Sequence, residues 1–339
     1  MNTKALLQTL TAAPGVSGDE RGIAEAAKEW LAKYGEVRTD ALGSVICTVK
    51  GGGKRKILLD AHMDQVGLIV LEITPDGFLR AAPCGGIDRR TLAACDVTVY
   101  GKTPLYGVIT STPPHLLSGD DAGKVPETIL VDIGMTAEQA KEQVCAGDRI
   151  ALRSEFRQLA GDCVSAPALD DRAGLCVLLE ALEQLKAAGC TDDLTVVFSV
   201  LEETTEGGAR AAAFSAEADL CLAVDVTFAK TPDEKEEETG TLGGGPMVGF
   251  APSLSRAVSV GLQKAAERCG IPYQVEVMGG LSGTNADAMA AAAGGVRTGL
   301  VSVPLRYMHT GVEVVSATDV ENSARLLAEF ILREATELC

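Results

Sequence analysis

LTVVFSVLEE, residues 194–203, is a nearly unbroken apolar run that stops at two glutamates. An apolar run of this length, with little polar alternation, reads as a strand covered on both faces. Such strands belong to largely parallel sheets flanked by helices. The chain repeats the pattern. ILLDAHMD (57–64) ends in His62 and Asp64, LCLAVDVT (220–227) contains Asp225, and LVSVPLRYMHT (300–310) leads to His309. Amphipathic helical stretches alternate with these runs. AGLCVLLEALEQLKAAG (173–189) is a clear one, with Gly189 placed to end it. The fold class expected is therefore α/β, a mainly parallel sheet sandwiched by helices.

The N-terminus reads as helical in TKALLQTL and again in DERGIAEAAKEWLAKYG, with Asp19 as the expected cap of the second helix and Trp30 expected in the core. A strand pair is expected in SVICTVKG and KRKILLDAHMD. From about Val66 to Gly161 the texture changes. Short alternating apolar pieces such as DVTVYG, LYGVITST and TILVDIG are separated by frequent Gly and Pro, with one short helix in TAEQAKEQV. That pattern reads as a small barrel or sandwich. The expected organisation is a discontinuous α/β domain, 1–67 and 163–339, interrupted by a β-rich insert, 68–162.

Composition narrows the function. The chain has 339 residues, 46% apolar and 23% charged, enough for a large core without staples. Its net charge is −17, which repels phosphate backbones and anionic bilayers, so neither nucleic acid nor membrane is an expected partner. No apolar run is long enough to span a bilayer, and no signal peptide is evident. The ten cysteines include no CxxC pair, which fits reduced thiols in a cytoplasmic protein. With three histidines in all, His62, His115 and His309, any metal site must rest mainly on carboxylates.

The chemistry-bearing residues follow the apolar runs: His62 and Asp64, Glu202 and Glu203, Asp225, and His309. Asp170 and Asp171 in ALDDRAG add a fifth group directly before a helix. Taken singly each has a structural explanation. Asp170 and Asp171 can serve the helix N-terminus, and the paired glutamates can be a solvated strand end. Taken together they place five acidic or imidazole clusters at one edge of a sheet, where open α/β folds gather ligands. The concerted reading is a carboxylate-rich site for two divalent cations. Mixed nitrogen and oxygen donors favour zinc, cobalt or manganese, with a spare glutamate as general base.

The motifs PGVSGDE, LLDAHMDQVGLIV, DGFLRAAPCGGID, GVITSTPPHLL, ALDDRAG, VFSVLEETTEGGARAAA, VDVT, LGGGP, SGTNADA and RYMHTGVEV span nearly the whole chain. Together they resemble the co-catalytic metallo-aminopeptidases that include glutamyl aminopeptidases and tetrahedral deblocking aminopeptidases, some of them labelled endoglucanases. The resemblance implies a zinc-peptidase-like fold with an inserted barrel-like domain, used for oligomerisation and substrate access. It implies His62 and Asp225 on one metal, Asp170 bridging, and Glu203 and His309 on the other. Glu202 is then the general base for a two-metal-activated water. Asp64 orients His62, and the Asp170–Asp171 peptide is cis. The implied partners are peptides with a free N-terminus and further copies of the chain, in many members a dodecamer enclosing a chamber. His115 is not a ligand in this pattern and reads as structural or interfacial.

The chain departs from the family at Gln65, usually acidic. It departs again at Thr204–Ala209, where Val-Gly-Leu-Arg-Gly-Ala is usual, and at Gly283–Ala288, where Gly-Thr-Asp-Ala is common. No departure removes a proposed ligand. A deacylase or carboxypeptidase of the same clan is the nearest alternative activity. A glycosidase would need two carboxyls without a metal, and a non-catalytic assembly protein would not need this cluster. The acidic segment 233–238 is expected to be a solvated loop.

Overall fold

The computed structural model describes residues 2–116, 127–232 and 239–335. Its main sheet is mixed. The strand order is Glu36–Thr39, Val45–Val49, Asp193–Ser199, Lys56–His62, Leu220–Phe228, Arg297–Arg306, Glu313–Ser316, Cys163–Ala166 and Arg157–Gln158. The four central strands, Asp193–Ser199 through Arg297–Arg306, run parallel. The flanks on both sides are antiparallel. The strands Val45–Val49 and Lys56–His62 are present but do not pair with each other, because Asp193–Ser199 lies between them.

Strand alternation divides the interior into two cores. Ile57, Leu59 and Ala61 face the long helix Leu169–Ala187 and the terminal helices. Leu58, Cys221 and Ala223 face Ala209, Ala213, Ala286 and Met289 on the helices Gly207–Ala216 and Asn285–Ala290. Successive side chains on a strand point to opposite faces. Asp60 and His62 therefore continue the Leu58 face. The alanine-rich helices on that side let helix and sheet approach closely. Leu59 is fully buried, and truncating such a leucine to alanine costs roughly 2–5 kcal/mol.

Two local expectations need correction. Asp19 does not cap the second helix, Arg21–Leu31. Its carboxylate accepts from the Arg21 guanidinium at 2.6 and 2.9 Å, and Glu20 occupies the cap position without a side-chain bond to the helix. Trp30 packs half-buried at the rim of the core, with Lys33 Nζ 3.6 Å from its ring centroid.

The segment after His62 enters a closed barrel. Its six strands are ordered Gly67–Ile73, Leu79–Cys84, Ile129–Asp132, Pro104–Ile109, Asp96–Tyr100 and Arg149–Leu152. Closure leaves no unpaired strand edge. The barrel has its own core, including Val70, Leu79, Val97, Val131 and Ile150. Helix Ala137–Gln143 starts at a capping box of Thr136 and Gln139. The segment 233–238 lies outside the described residues.

Candidate active site

The ends of the central strands converge on the start of helix Leu169–Ala187. His62 is the last residue of its strand. Its Nδ1 lies 3.0 Å from the Asp64 carbonyl oxygen. A carbonyl only accepts, so Nδ1 carries the proton and Nε2 is left as the donor to a cation. His62 Nε2 is 3.0 Å from Asp170 Oδ1, and 3.8 Å from both Asp225 Oδ1 and Glu202 Oε2. His309 repeats the arrangement. Its Nδ1 donates to the Gly86 carbonyl at 2.8 Å, and its Nε2 is 3.3 Å from both Asp170 Oδ2 and Glu203 Oε2. Asp170 thus turns one carboxylate oxygen toward each histidine.

The glutamates are placed by a sharp turn. Leu201, at φ +63°, takes the left-handed conformation, and the short helix Glu202–Thr205 starts immediately after it. Asp64 fixes that turn, accepting from the backbone N–H of Glu202 at 3.0 Å and of Glu203 at 3.2 Å. Its Oδ1 is also 3.5 Å from His62 Nδ1. One carboxylate therefore orders both the histidine and the glutamate pair.

The structure brings together the seven residues to which the sequence assigns site roles: His62, Asp64, Asp170, Glu202, Glu203, Asp225 and His309. Asp171, named above beside Asp170, joins them, and so do two residues the sequence reading missed, Glu313 and Asp60. Asp171 is buried and groups with His62 and Asp225, and the Asp170–Asp171 peptide is cis. Glu313, 1% exposed, accepts from the backbone N–H of His309 at 2.8 Å and of Asp170 at 3.1 Å. Its sequence signal is a glutamate within EVVS, a strand buried at every position. Asp60, fully buried behind His62, accepts from Asn285 Nδ2 at 2.8 Å. The departure at position 285 thus places an amide donor against a buried carboxyl. His115 is exposed in the turn Pro114–Leu116.

Burial and crowding set the protonation of these groups. Burial raises the Glu202 carboxyl to about 7, with His62 opposing the shift. Burial likewise pushes up Glu203, Asp171 and Asp225, with Asp225 adding to the rise of Asp171, and Glu202 and Asp170 to that of Asp225. His309 is raised to about 10, because Asp170 and Glu203 outweigh its burial. Asp170 is held low, the hydrogen bonds from His309 and His62 outweighing its burial.

These residues fit divalent cations. Donor atoms about 2.0–2.2 Å from a shared tetrahedral ion lie roughly 3.3–3.6 Å apart, close to the separations seen here. His62, Asp171 and Asp225 offer atoms within 4.8 Å of one another, as do His62, Asp170 and Glu203. Asp171 Oδ2 and Glu203 Oε1 are buried without a hydrogen-bond partner, as atoms awaiting a positive charge are. The cluster opens on a cavity of about 520 Å³, whose lining also includes Glu206, Thr227, Phe228, Glu276, Met278 and Met308.

Comparison with known proteins identifies the family and the fold. The family model described as M42 glutamyl aminopeptidase matches residues 43–326. A lysyl aminopeptidase from Pyrococcus furiosus is 37% identical, over 97% of this chain and 96% of that protein. The TET aminopeptidase from Thaumarchaeota archaeon SCGC AB-539-E09 superposes with a TM-score of 0.92 at 32% identity, covering 98% of this chain and 96% of its own. The TET1 peptidase of Pyrococcus horikoshii gives 0.86 at 33% identity, covering 97% and 99%. With the family model matched over most of the chain and relatives this similar, the chain belongs to the M42 glutamyl aminopeptidase family.

Proposed function

We propose that this protein is a metal-dependent aminopeptidase that releases N-terminal residues from peptides at a two-cation site. The observation that carries the reading is Asp170, which turns one oxygen toward each of two histidines. His62 and Asp225 would hold one ion, Glu203 and His309 the other, with Asp170 between them. Zinc, cobalt and manganese all suit this donor set. When bound, the two cations supply an activated water and polarise the scissile carbonyl. Glu202 lies beside that position, 3.8 Å from His62 Nε2. It takes the proton of the attacking water and returns it to the leaving amine. Asp64 and Glu313 touch backbone N–H groups of the site residues and hold the frame while the proton moves.

The Pyrococcus horikoshii TET1 peptidase can assemble into a tetrahedron or a large octahedral shell. By likeness, this chain would form a closed homo-oligomer, with the 68–162 insert contributing to assembly and controlling peptide access. Among the described residues no helix is long and apolar enough to cross a membrane, and nine of the ten cysteines, those described, are free thiols. Free thiols support a reducing compartment, the cytoplasm.

The test is an aminoacyl anilide panel, assayed after chelation and again after adding back zinc, cobalt or manganese. Activity should vanish with chelation, return with a divalent ion, and require a free α-amine. Hydrolysis of acylated substrates alone would favour a deacylase, and chelator-insensitive turnover would refute the metal reading.

A further inference from the structure

The cavity beside the cluster contains two carboxylates that the proposed chemistry leaves unused, Glu276 and Glu206. Glu276 belongs to the strand Gln274–Val277, and its Oε1 accepts from Thr227 Oγ1 at 2.5 Å. Thr227 lies two residues after Asp225 on the same strand, so the two share a face. Two strand residues advance about 6–7 Å. Glu276, bonded to Thr227, therefore stands one strand repeat farther along the cavity than Asp225. Met278, Phe228 and Met308 supply apolar wall around that space. No Lys or Arg is among the described residues lining the cavity.

We propose that this cavity is the pocket for the substrate's N-terminal side chain and that it selects a basic residue, lysine or arginine, through the carboxylate of Glu276. This deepens the aminopeptidase reading and rests on it. The substrate's α-amine cannot take that role. It is attached one carbon from the scissile carbonyl and must stay beside the cluster. A four-carbon stem reaches farther, packs on the methionines and delivers its ammonium to Glu276. Glu206 adds a second negative charge to the lining. An acidic N-terminal side chain would meet these carboxylates with no Lys or Arg in the described lining to balance it.

The experiment compares kcat/KM for lysyl, arginyl, methionyl and glutamyl anilides in the metal-loaded wild type, E276Q and E276R. Calorimetry of free lysine and methionine amides provides a binding readout independent of turnover. The wild type should favour lysyl over methionyl substrate at least tenfold. E276Q should cut that ratio at least tenfold and weaken lysinamide binding in step. E276R should shift preference toward glutamyl substrate. Two results would overturn the assignment while leaving an aminopeptidase: a methionyl or glutamyl preference in the wild type, or an equal loss on every substrate in E276Q. The second would mark Glu276 as an α-amine contact or a structural residue. Failure to cleave any anilide with metal restored would overturn the aminopeptidase reading itself and the pocket assignment with it.

Discussion

Replacing Asp64 by Asn keeps the side chain's size and removes half its capacity to accept. The carboxylate serves two N–H donors, Glu202 at 3.0 Å and Glu203 at 3.2 Å. An amide has one oxygen for the pair and turns its NH2 toward the donor left over. A hydrogen bond to a charged acceptor is worth about 1.5–3 kcal/mol. If about 2 kcal/mol falls on the placement of Glu203 and His62, cation affinity drops roughly thirtyfold. That agrees with the roughly 10–100-fold losses seen when partners of metal ligands are removed. Without metal the same change should be mild, because the repulsion it relieves with Glu202 and Glu203 offsets the attraction it loses to His62 and Arg172. The assay is competitive titration of zinc against a chromophoric chelator, paired with urea unfolding of metal-free protein. The expected result is a loss of affinity with a change of less than about 1 kcal/mol in metal-free stability. Affinity within twofold of wild type would show that Asp64 does not order the site.

Three further outcomes follow from the geometry. Glu202→Gln should lower kcat at least a hundredfold while metal content measured by mass spectrometry stays at the wild-type level, since general-base contributions run to about 10²–10⁴; an active variant would remove Glu202 from the role of base. Asn285→Asp should destabilise the protein more at pH 8.5 than at pH 5.5. Burial already raises Asp60 from 3.8 to about 7, so its contribution to stability is full below about 4 and is lost as pH rises through 7. A second carboxyl in place of the Asn285 donor steepens that loss, and urea curves showing equal losses at both pH values would contradict it. Gly86→Ala would put a Cβ 3.1 Å from His309 Nδ1 and 3.2 Å from Cε1, displacing the ring. Metal affinity should fall about tenfold in the chelator titration, the low end of the range for disturbed ligand partners; unchanged affinity would mean the ring has room to give.

Much of the site was legible because its residues sit where apolar runs stop. A run such as LTVVFSV signals a buried strand, and the polar residue that ends it is at the sheet's edge by construction. The central parallel strands were readable for the same reason. The antiparallel flanks were less so, since short strands such as Glu36–Thr39 carry no long apolar run. Glu313 escaped notice because its partners are backbone N–H groups, and no sequence spacing encodes a bond to a main chain that only the fold delivers. Asp19 was misread for a related reason. A cap is decided by backbone angles, and the Arg21 guanidinium held its carboxylate instead. Asn285 stood out as a departure, but its meaning required the buried Asp60 opposite it.

The hydrogen bond from His309 to the carbonyl of Gly86 ties the two halves of the molecule together at the chemistry. Gly86 sits in the loop that follows a barrel strand, whereas His309 sits beyond the last long strand of the main sheet. The barrel is therefore not an interchangeable appendage. A chimera that imports another relative's insert inherits that relative's aim for the imidazole. Whatever presses on the barrel, a neighbouring copy included, has a mechanical route to a proposed metal ligand through a single peptide oxygen.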